Sequence, residues 1–408
     1  MTKGLVLLSL LWTCLQSLHA VADYQDARDA LQQKQYAAAL AQFHQLAQLG
    51  AARASFQYAA MLAKGQATEP DPVSAYAWYQ LSAEQGHAKG AKAAKRILRK
   101  MTQAQVSTAM ELLAQLQSQY APDALEGVLL AQTGGQRINA FRTGKSKGLS
   151  WPKEYRFNAQ AAVVWLEYDT DAAGKPVDFR LLRGAPAPFV REAIKFYTRQ
   201  SSTQPNQFGL VCYVVFGLGG GRDGEQYGQG KLLRKLKKRA QNGSPYRKYR
   251  YAFAQELAEM YGYEFSDQDS NRWYLEAAKE GYAPAQYIVG RRMYHGYGYE
   301  RNTGAGLRWI EHAAQRGSAD ANYFLARQTA ATSSQQDALP YMFKSADLGS
   351  TTAALYMAHH FADRSLWQQS REYLQKAQGH LDQARLAILQ NRIMQADFNK
   401  NANTKTSG

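Results

Sequence analysis

Trp273-Tyr274-Leu275-Glu276-Ala277-Ala278-Lys279-Glu280-Gly281 is followed 36 residues later by Trp309-Ile310-Glu311-His312-Ala313-Ala314-Gln315-Arg316-Gly317. The phrase returns as Tyr341-Met342-Phe343-Lys344-Ser345-Ala346-Asp347-Leu348-Gly349, 32 residues further on, and in degenerate form at Tyr373-Leu374-Gln375-Lys376-Ala377. Far upstream, Trp78-Tyr79-Gln80-Leu81-Ser82-Ala83-Glu84-Gln85-Gly86 is the same phrase. An aromatic residue with small residues four and five positions later predicts one packed face of a helix. The ring fills the groove between paired helices, and the alanines admit the neighbour. The closing glycine ends the helix, because it takes left-handed dihedrals cheaply.

Ala-rich segments open the next helix, at Ala54-Ser55-Phe56-Gln57-Tyr58, Ala283-Pro284-Ala285-Gln286-Tyr287 and Ala319-Asp320-Ala321-Asn322-Tyr323. A glycine turn separates the helices of a pair, clearest at Tyr294-His295-Gly296-Tyr297-Gly298. No such unit buries its own apolar face, so stacking is obligatory. The Trp-Tyr-x-x-Ala-Ala-x-x-Gly phrase and the Gly-x-Gly turn resemble the Sel-one-like repeats, a branch of the tetratricopeptide-like solenoids. Asp71 in Glu69-Pro70-Asp71-Pro72 fits the turn before a second helix, and Arg96 to Gln105 resembles a common end of such arrays. The resemblance covers about residues 24–120 and 246–390. It implies an α/α superhelix that scaffolds protein contacts. Thr332-Ser333-Ser334 replaces one glycine turn, so that copy is shortened.

Between the arrays the helical pattern lapses. Ala161 to Tyr168 is apolar and β-prone, and Asp169 to Pro176 reads as a turn. Val177 to Arg183 alternates like a half-buried strand. Phe189, Val190, Ala193, Ile194, Phe196 and Tyr197 have helical spacing, and Phe208 to Phe216 is a further β-prone run. The order strand, strand, helix, strand predicts a small α+β (ββαβ) domain. With Trp151-Pro152, the Gly174 turn and Gln204-Pro205, it resembles the C-terminal domain of TonB. That resemblance implies capture of an extended peptide as an added strand at a sheet edge. Ala161-Ala162 stand where that family has glycine, and no Pro-rich spacer is present, which puts energy coupling in doubt.

The fold class expected is therefore mainly α: an α/α solenoid of Sel-one-like repeats interrupted by a small α+β domain. The divisions read as 1–22 signal peptide, 23–120 N-terminal repeats, 121–228 TonB C-terminal-like domain, 229–245 basic linker helix, 246–395 C-terminal repeats and 396–408 disordered tail. Lys3, the apolar run Gly4 to Leu15 and Ala20-Val21-Ala22 form a secretory signal pattern. An uncleaved anchor is the alternative. Its removal leaves Cys212 as the one cysteine, without a disulfide partner and in an apolar run.

The chain of 408 residues carries a net charge of +16. That suits anionic lipid, wall polymer or acidic proteins; export argues against nucleic acid. The stretch Lys231-Leu232-Leu233-Arg234-Lys235-Leu236-Lys237-Lys238-Arg239 sets three leucines on one helical face among cations. Lys231, Arg234, Lys235, Lys237, Lys238 and Arg239 are thus candidates for anionic-surface contact, against a reading as a solvated linker with packed leucines.

Chemistry-bearing motifs do not emerge. Gly217-Leu218-Gly219-Gly220-Gly221 lacks the βαβ context of a dinucleotide loop and reads as flexible linker through Gly230. Gly144-Lys145-Ser146 lacks the glycine a phosphate loop needs at Asn139. His359 and His360 are adjacent, about 100° apart on a helix, a poor chelating geometry. Glu276, Glu280 and Glu311 read as solvated helix-face carboxylates. No catalytic residue, cofactor or metal is assigned. The function expected is a non-enzymatic exported scaffold for envelope proteins. A TonB-like accessory in outer-membrane uptake and a basic wall- or lipid-associated protein are the alternatives.

Overall fold

The computed structural model describes residues 23–136, 138–142, 146–155, 162–183, 186–199, 205–216, 223–260 and 269–406. The signal-like segment 1–22, Gly144-Lys145, Gln204 and the glycines at 217–221 lie outside them. The fold is mainly α, with paired repeat helices interrupted by a small sheet-and-helix module. Two compact units are distinguished: residues 1–130 with 240–249 and 274–286, and residues 131–239 with 250–273 and 287–408.

The first unit holds α1 (Tyr24–Gln32), α2 (Tyr36–Gln48), α3 (Ala52–Lys64), α4 (Pro72–Glu84), α5 (Gly90–Leu98), α6 (Gln103–Tyr120) and the single turn α7 (Pro122–Leu125). Successive helices pack on one another from α1 to α5, and α6 returns to α4. Asp71 caps α4 as expected: its Oδ1 accepts the Ser74 N–H at 2.9 Å, and Pro72 occupies the first turn, where no N–H is needed. Thr102 and Gln105 make a capping box at α6.

Helices α10 (Pro245–Met260), α11 (Ser270–Lys279) and α12 (Ala283–His295) contribute residues to both units. Within the first unit, Glu280 is buried, its Oε1 2.8 Å from Lys248 Nζ and 3.2 Å from Arg53 Nη1. Arg53 also donates to the Gly243 carbonyl at 2.7 Å and lies over the Tyr24 ring. Glu280 is thus not the solvated carboxylate its helix-face position suggests. Burial pushes its carboxyl above the usual range, against the pull of Lys248 and Arg53.

The repeats of the second unit continue through α13 (Thr303–Gln315), α14 (Ala319–Thr332), α15 (Gln335–Asp347), α16 (Thr351–Ala362), α17 (Trp367–Lys376) and α18 (Gln383–Thr406). The short Ser333-Ser334 turn is held by Ser334, which caps α15. The phrase-ending glycines all take positive φ: Gly86 103°, Gly281 88°, Gly317 79° and Gly349 98°.

The copies differ in how deeply the aromatic is set. The residue after it is buried in all four (Tyr79, Tyr274, Ile310, Met342), and the aromatic itself is buried at Trp78 and Trp309, partly buried at Trp273 and 38% exposed at Tyr341. Helical geometry explains the constant burial of the residue after the aromatic. Tyr274 stands three and four residues before Ala277 and Ala278, so it shares their face; a spacing of five does not.

The module comprises β1 (Asn139–Arg142), β2 (Ala162–Thr170), β3 (Pro176–Arg183), α8 (Ala187–Tyr197) and β4 (Leu210–Phe216). Its last four elements follow the expected ββαβ order. β1 is an addition that the sequence pattern does not announce. The sheet order is β1-β4-β2-β3, with β2 antiparallel to both β3 and β4, and β1 parallel to β4. The β2–β3 turn is an Asx turn: Asp171 Oδ1 accepts the Ala173 and Lys175 N–H groups at 2.9 and 2.8 Å.

Two further expectations change. Helix α9 runs Asp223–Gln241, so the helix starts inside the stretch read as flexible linker. Each interior glycine costs about 1 kcal/mol against alanine, but the Leu/Lys/Arg run from 231 propagates well and buries Leu233 and Ala240. Likewise α18 continues to Thr406 where a disordered tail was expected; Leu386, Leu389 and Ile393 anchor its N-terminal half in the repeat core.

Candidate functional site

The two faces of the sheet are built from alternate residues of the same strands. Ala162, Val164, Leu166 and Tyr168 of β2 join Phe179, Cys212, Val214 and Phe216 under Phe189, Val190, Ala193 and Phe196 of α8. Cys212 is fully buried there, and burial pushes its thiol far above the ordinary range. The Tyr168 and Tyr197 hydroxyls satisfy each other at 2.8 Å, as buried hydroxyls must.

The other face carries Trp165, Glu167 and Asp169. Trp165 packs with Val211, Tyr213, Val215 and Met260. Glu167 is enclosed by Arg180 of β3 at 2.7 Å, Arg291 of α12 at 2.6 Å and the Tyr287 hydroxyl at 2.6 Å. Asp169 receives Arg180 at 3.1 Å, Arg327 of α14 at 3.0 Å and the Gly209 N–H at 3.0 Å. Arg180 itself lies 4.2 Å over the Tyr323 ring. Burial opposes ionisation of Glu167, but Arg180 and Arg291, helped by the Tyr287 hydroxyl, outweigh it and hold the carboxyl at about 2. This cluster ties the module to repeat helices α12 and α14.

Gly209 completes the attachment. Its φ is +66°, and a Cβ there would lie 2.6 Å from the Phe324 ring. Phe208 beside it packs on Phe324, with ring centroids 4.9 Å apart.

A cleft of about 520 Å³ opens beside this face. Its floor is Tyr213, whose hydroxyl donates to Glu256 at 2.7 Å, and Arg292, which pairs with Glu256 and donates to Asn271. Asn271 Nδ2 donates in turn to the Gly298 carbonyl at 3.0 Å. One wall is the chain segment before β1. Gln136 N–H donates to the Gly296 carbonyl at 2.8 Å, and Gly298 N–H to the Gln136 carbonyl at 2.9 Å. The repeat's Gly-x-Gly turn therefore grips the approach to β1. Burial and then the charge of Glu256 raise the Tyr213 phenol well above its usual range. The polar groups of the lining are thus bonded to one another.

The sheet edges differ. On the outer side of β4 the neighbour is β1, a four-residue strand whose Asn139, Ala140, Phe141 and Arg142 stand opposite Cys212, Tyr213, Val214 and Val215. β3 starts at Pro176, which cannot donate, and Asp178 has φ +51° and pairs with Arg385. These are devices that discourage pairing at an edge.

The candidate cations lie on α9. Lys231, Arg234, Lys235, Lys238 and Arg239 are exposed and Lys237 is partly buried. The three leucines separate: Leu233 is buried, Leu236 partly buried and Leu232 is 50% exposed among the cations. His359 and His360 sit in the last turn of α16, and among the described residues no group of three metal-ligating side chains forms. No described helix is long and apolar enough to cross a membrane.

Sequence reading identifies neither Glu167 and Asp169 nor their arginine partners. Two acids on the same face of an apolar strand were the available signal.

Residues 52–87 and 283–318 match the Sel1 repeat family, spanning α3–α4 and α12–α13. Proteins of such repeats are generally interaction scaffolds. No curated protein matches the chain. Among solved structures, a Sel1 repeat protein from Oxalobacter formigenes is 15% identical, covering 90% of this chain and 100% of its own, with a TM-score of 0.30. A protective antigen of uropathogenic Escherichia coli displaying an SLR fold is 18% identical, covering 86% of this chain and 66% of its own, with a TM-score of 0.32.

Proposed function

We propose that the protein is an exported, non-enzymatic interaction scaffold whose central module takes an extended peptide as a strand along β4. The observation that carries this reading is β1. It is a four-residue parallel strand contributed by the same chain, and it covers only Cys212 to Val215 of the seven-residue β4. So few ladder bonds are readily exchanged for those of an incoming segment. The other edge, at β3, is blunted by Pro176 and Asp178. The ββαβ order supports the resemblance to the TonB C-terminal domain, and the Sel1 matches support a role in protein contacts.

Asn139 stands opposite the buried Cys212. Asn139→Cys, oxidised onto Cys212, fixes β1 in place. The locked protein should lose peptide partners that the reduced protein crosslinks in envelope extract. Equal capture in both states sinks strand addition.

A second reading rests on α9, where Leu232 is exposed amid cations: adhesion to anionic lipid or wall polymer. Reversing Lys235 and Lys238 should then release the protein from the envelope fraction, and wild-type adhesion should weaken with salt. A role as a TonB-like accessory predicts that deleting residues 150–216 impairs receptor-dependent import. Residues 1–22 are proposed to direct export to the periplasm, either cleaved or retained as an anchor; N-terminal sequencing of the mature protein decides.

A further inference from the structure

A second run of positive charge, apart from that on α9, lies on α5. Helix α5 and its two capping residues present Lys89, Lys92, Lys95, Arg96 and Arg99, all exposed. They line a groove of about 590 Å³ whose remaining wall includes Phe56 of α3. Among the described residues no carboxylate lines this groove and none of the five cations makes an ion pair. That contrasts with Arg53, Arg180, Arg291, Arg292 and Lys248, each of which is matched to a carboxylate.

The arrangement has a cost. Lys92 and Lys95, Lys92 and Arg96, and Lys95 and Arg99 are three or four residues apart, so they are like-charged neighbours on the helix surface, each pair destabilising by a few tenths of a kcal/mol. The C-terminal dipole of α5 favours Lys95 and Arg96, but no described carboxylate in the groove offsets the repulsion. An anionic ligand would. Phe56 is packed on both sides: it stacks on His87 with ring centroids 4.1 Å apart and meets Tyr79 edge-on at 5.1 Å.

We infer that this groove binds an acidic peptide segment of a partner protein, with carboxylates on the five cations and an apolar side chain against Phe56. Length and spacing favour a peptide. From Lys89 to Arg99 the helix rises roughly 15 Å, the span of about five extended residues. Alternate side chains of an extended strand repeat at about 6.6 Å, close to the roughly 6 Å rise between cations four residues apart on α5. The concavity argues against a bilayer, whose planar headgroup layer does not reach a floor residue such as Phe56. Arginine at two of the five positions suits bidentate carboxylate binding.

The inference rests on the scaffold reading but concerns a different surface from β4. The test uses the full chain and a fluorescent hexapeptide, Glu-Leu-Glu-Leu-Glu-Glu, read by anisotropy. The double variant Lys92→Glu, Arg96→Glu changes only exposed side chains. It should bind about tenfold more weakly or worse, whereas Lys235→Glu, Lys238→Glu on α9 should bind as wild type. Lys92→Arg should retain binding. Phe56→Ala should weaken the leucine-containing peptide more than a hexaglutamate. Three results overturn the assignment: no binding by wild type, equal losses from the α5 and α9 reversals, or binding of phosphatidylglycerol vesicles or polyphosphate that is at least as tight and lost on the same α5 reversal. If the peptide fails while the reduced β4 edge still captures its partner, the groove assignment falls and the scaffold reading stands. Failure of both removes the scaffold reading.

Discussion

The inner and outer faces of the central sheet show two ways of burying the same strands. On one, Val164, Leu166, Val214 and Phe216 meet Phe189 and Phe196 of α8, a core that any hydrophobic helix of the right shape satisfies. On the other, Glu167 and Asp169 meet Arg180, Arg291 and Arg327. The first face builds the module. The second attaches it to α12 and α14, with arginines from β3, α12 and α14 converging on two carboxylates of one strand. Ion pairing here trades stability for orientation, since apolar packing of equal volume holds as well but is less choosy about register.

The contrast is broken or sharpened by substitution. Phe189→Ala and Glu167→Gln should each cost about 3–5 kcal/mol, the first by leaving a cavity and the second by stranding buried arginines. They should differ in rescue. Combining Glu167→Leu with Tyr287→Phe and Arg291→Met, which leaves Arg180 on Asp169, should recover most of the loss in urea denaturation, while no polar substitution rescues Phe189→Ala. If the triple replacement is as unstable as Glu167→Gln, the two faces do not differ as argued.

Acid separates them next. Glu167 has a lowered carboxyl, at about 2, so its contribution is complete above the unfolded value near 4.5 and is lost as pH falls toward 2. The loss should be on the order of 3 kcal/mol. Hydrogen exchange of the sheet amides of β2 and β3 should accelerate over that window in the wild type and less in the Leu/Phe/Met variant. Identical pH profiles contradict the assignment.

Gly209→Ala tests the joint between module and repeats. A left-handed φ and the nearby Phe324 ring predict a loss of about 2 kcal/mol. A melting temperature equal to wild type removes Gly209 from the attachment.

The smallest effects lie in the repeats. Asp71→Ala should cost about 1 kcal/mol through the lost α4 cap. Tyr341→Ala should fall within 0.5 kcal/mol, whereas its neighbour Met342→Ala should cost about 2 kcal/mol or more. The reverse ranking of that pair would put Tyr341 with Trp78 and Trp309, the buried aromatics of the other copies.

Much of the fold is legible in the chain. The repeat phrase, the positive-φ glycines and the Asp71 cap follow from local rules acting within one helix or turn. The ββαβ order follows from apolar alternation. The start of helix α9 is not legible because its glycines mask the downstream run, and the helical tail is not because α18 is stabilised by Leu386, Leu389 and Ile393 at its near end rather than by its last residues. The α5 groove is not legible either, although six cations fall between Lys89 and Lys100. The same composition suits a solvated helix, and only the position of Phe56 makes it a groove.

The sequence by itself determined the helical repeats, their ends and the existence of a sheet module between them, because periodicity, capping and glycine conformation are short-range properties. Tertiary structure alone decided that Glu167 finds Arg291 across 124 positions of chain, that β1 covers the outer edge of β4, and that among the described residues the cations of α5 pair with no carboxylate. Those pairings depend on which surfaces meet. A charge carries no mark of its partner, and a four-residue strand carries too little pattern to declare its neighbour.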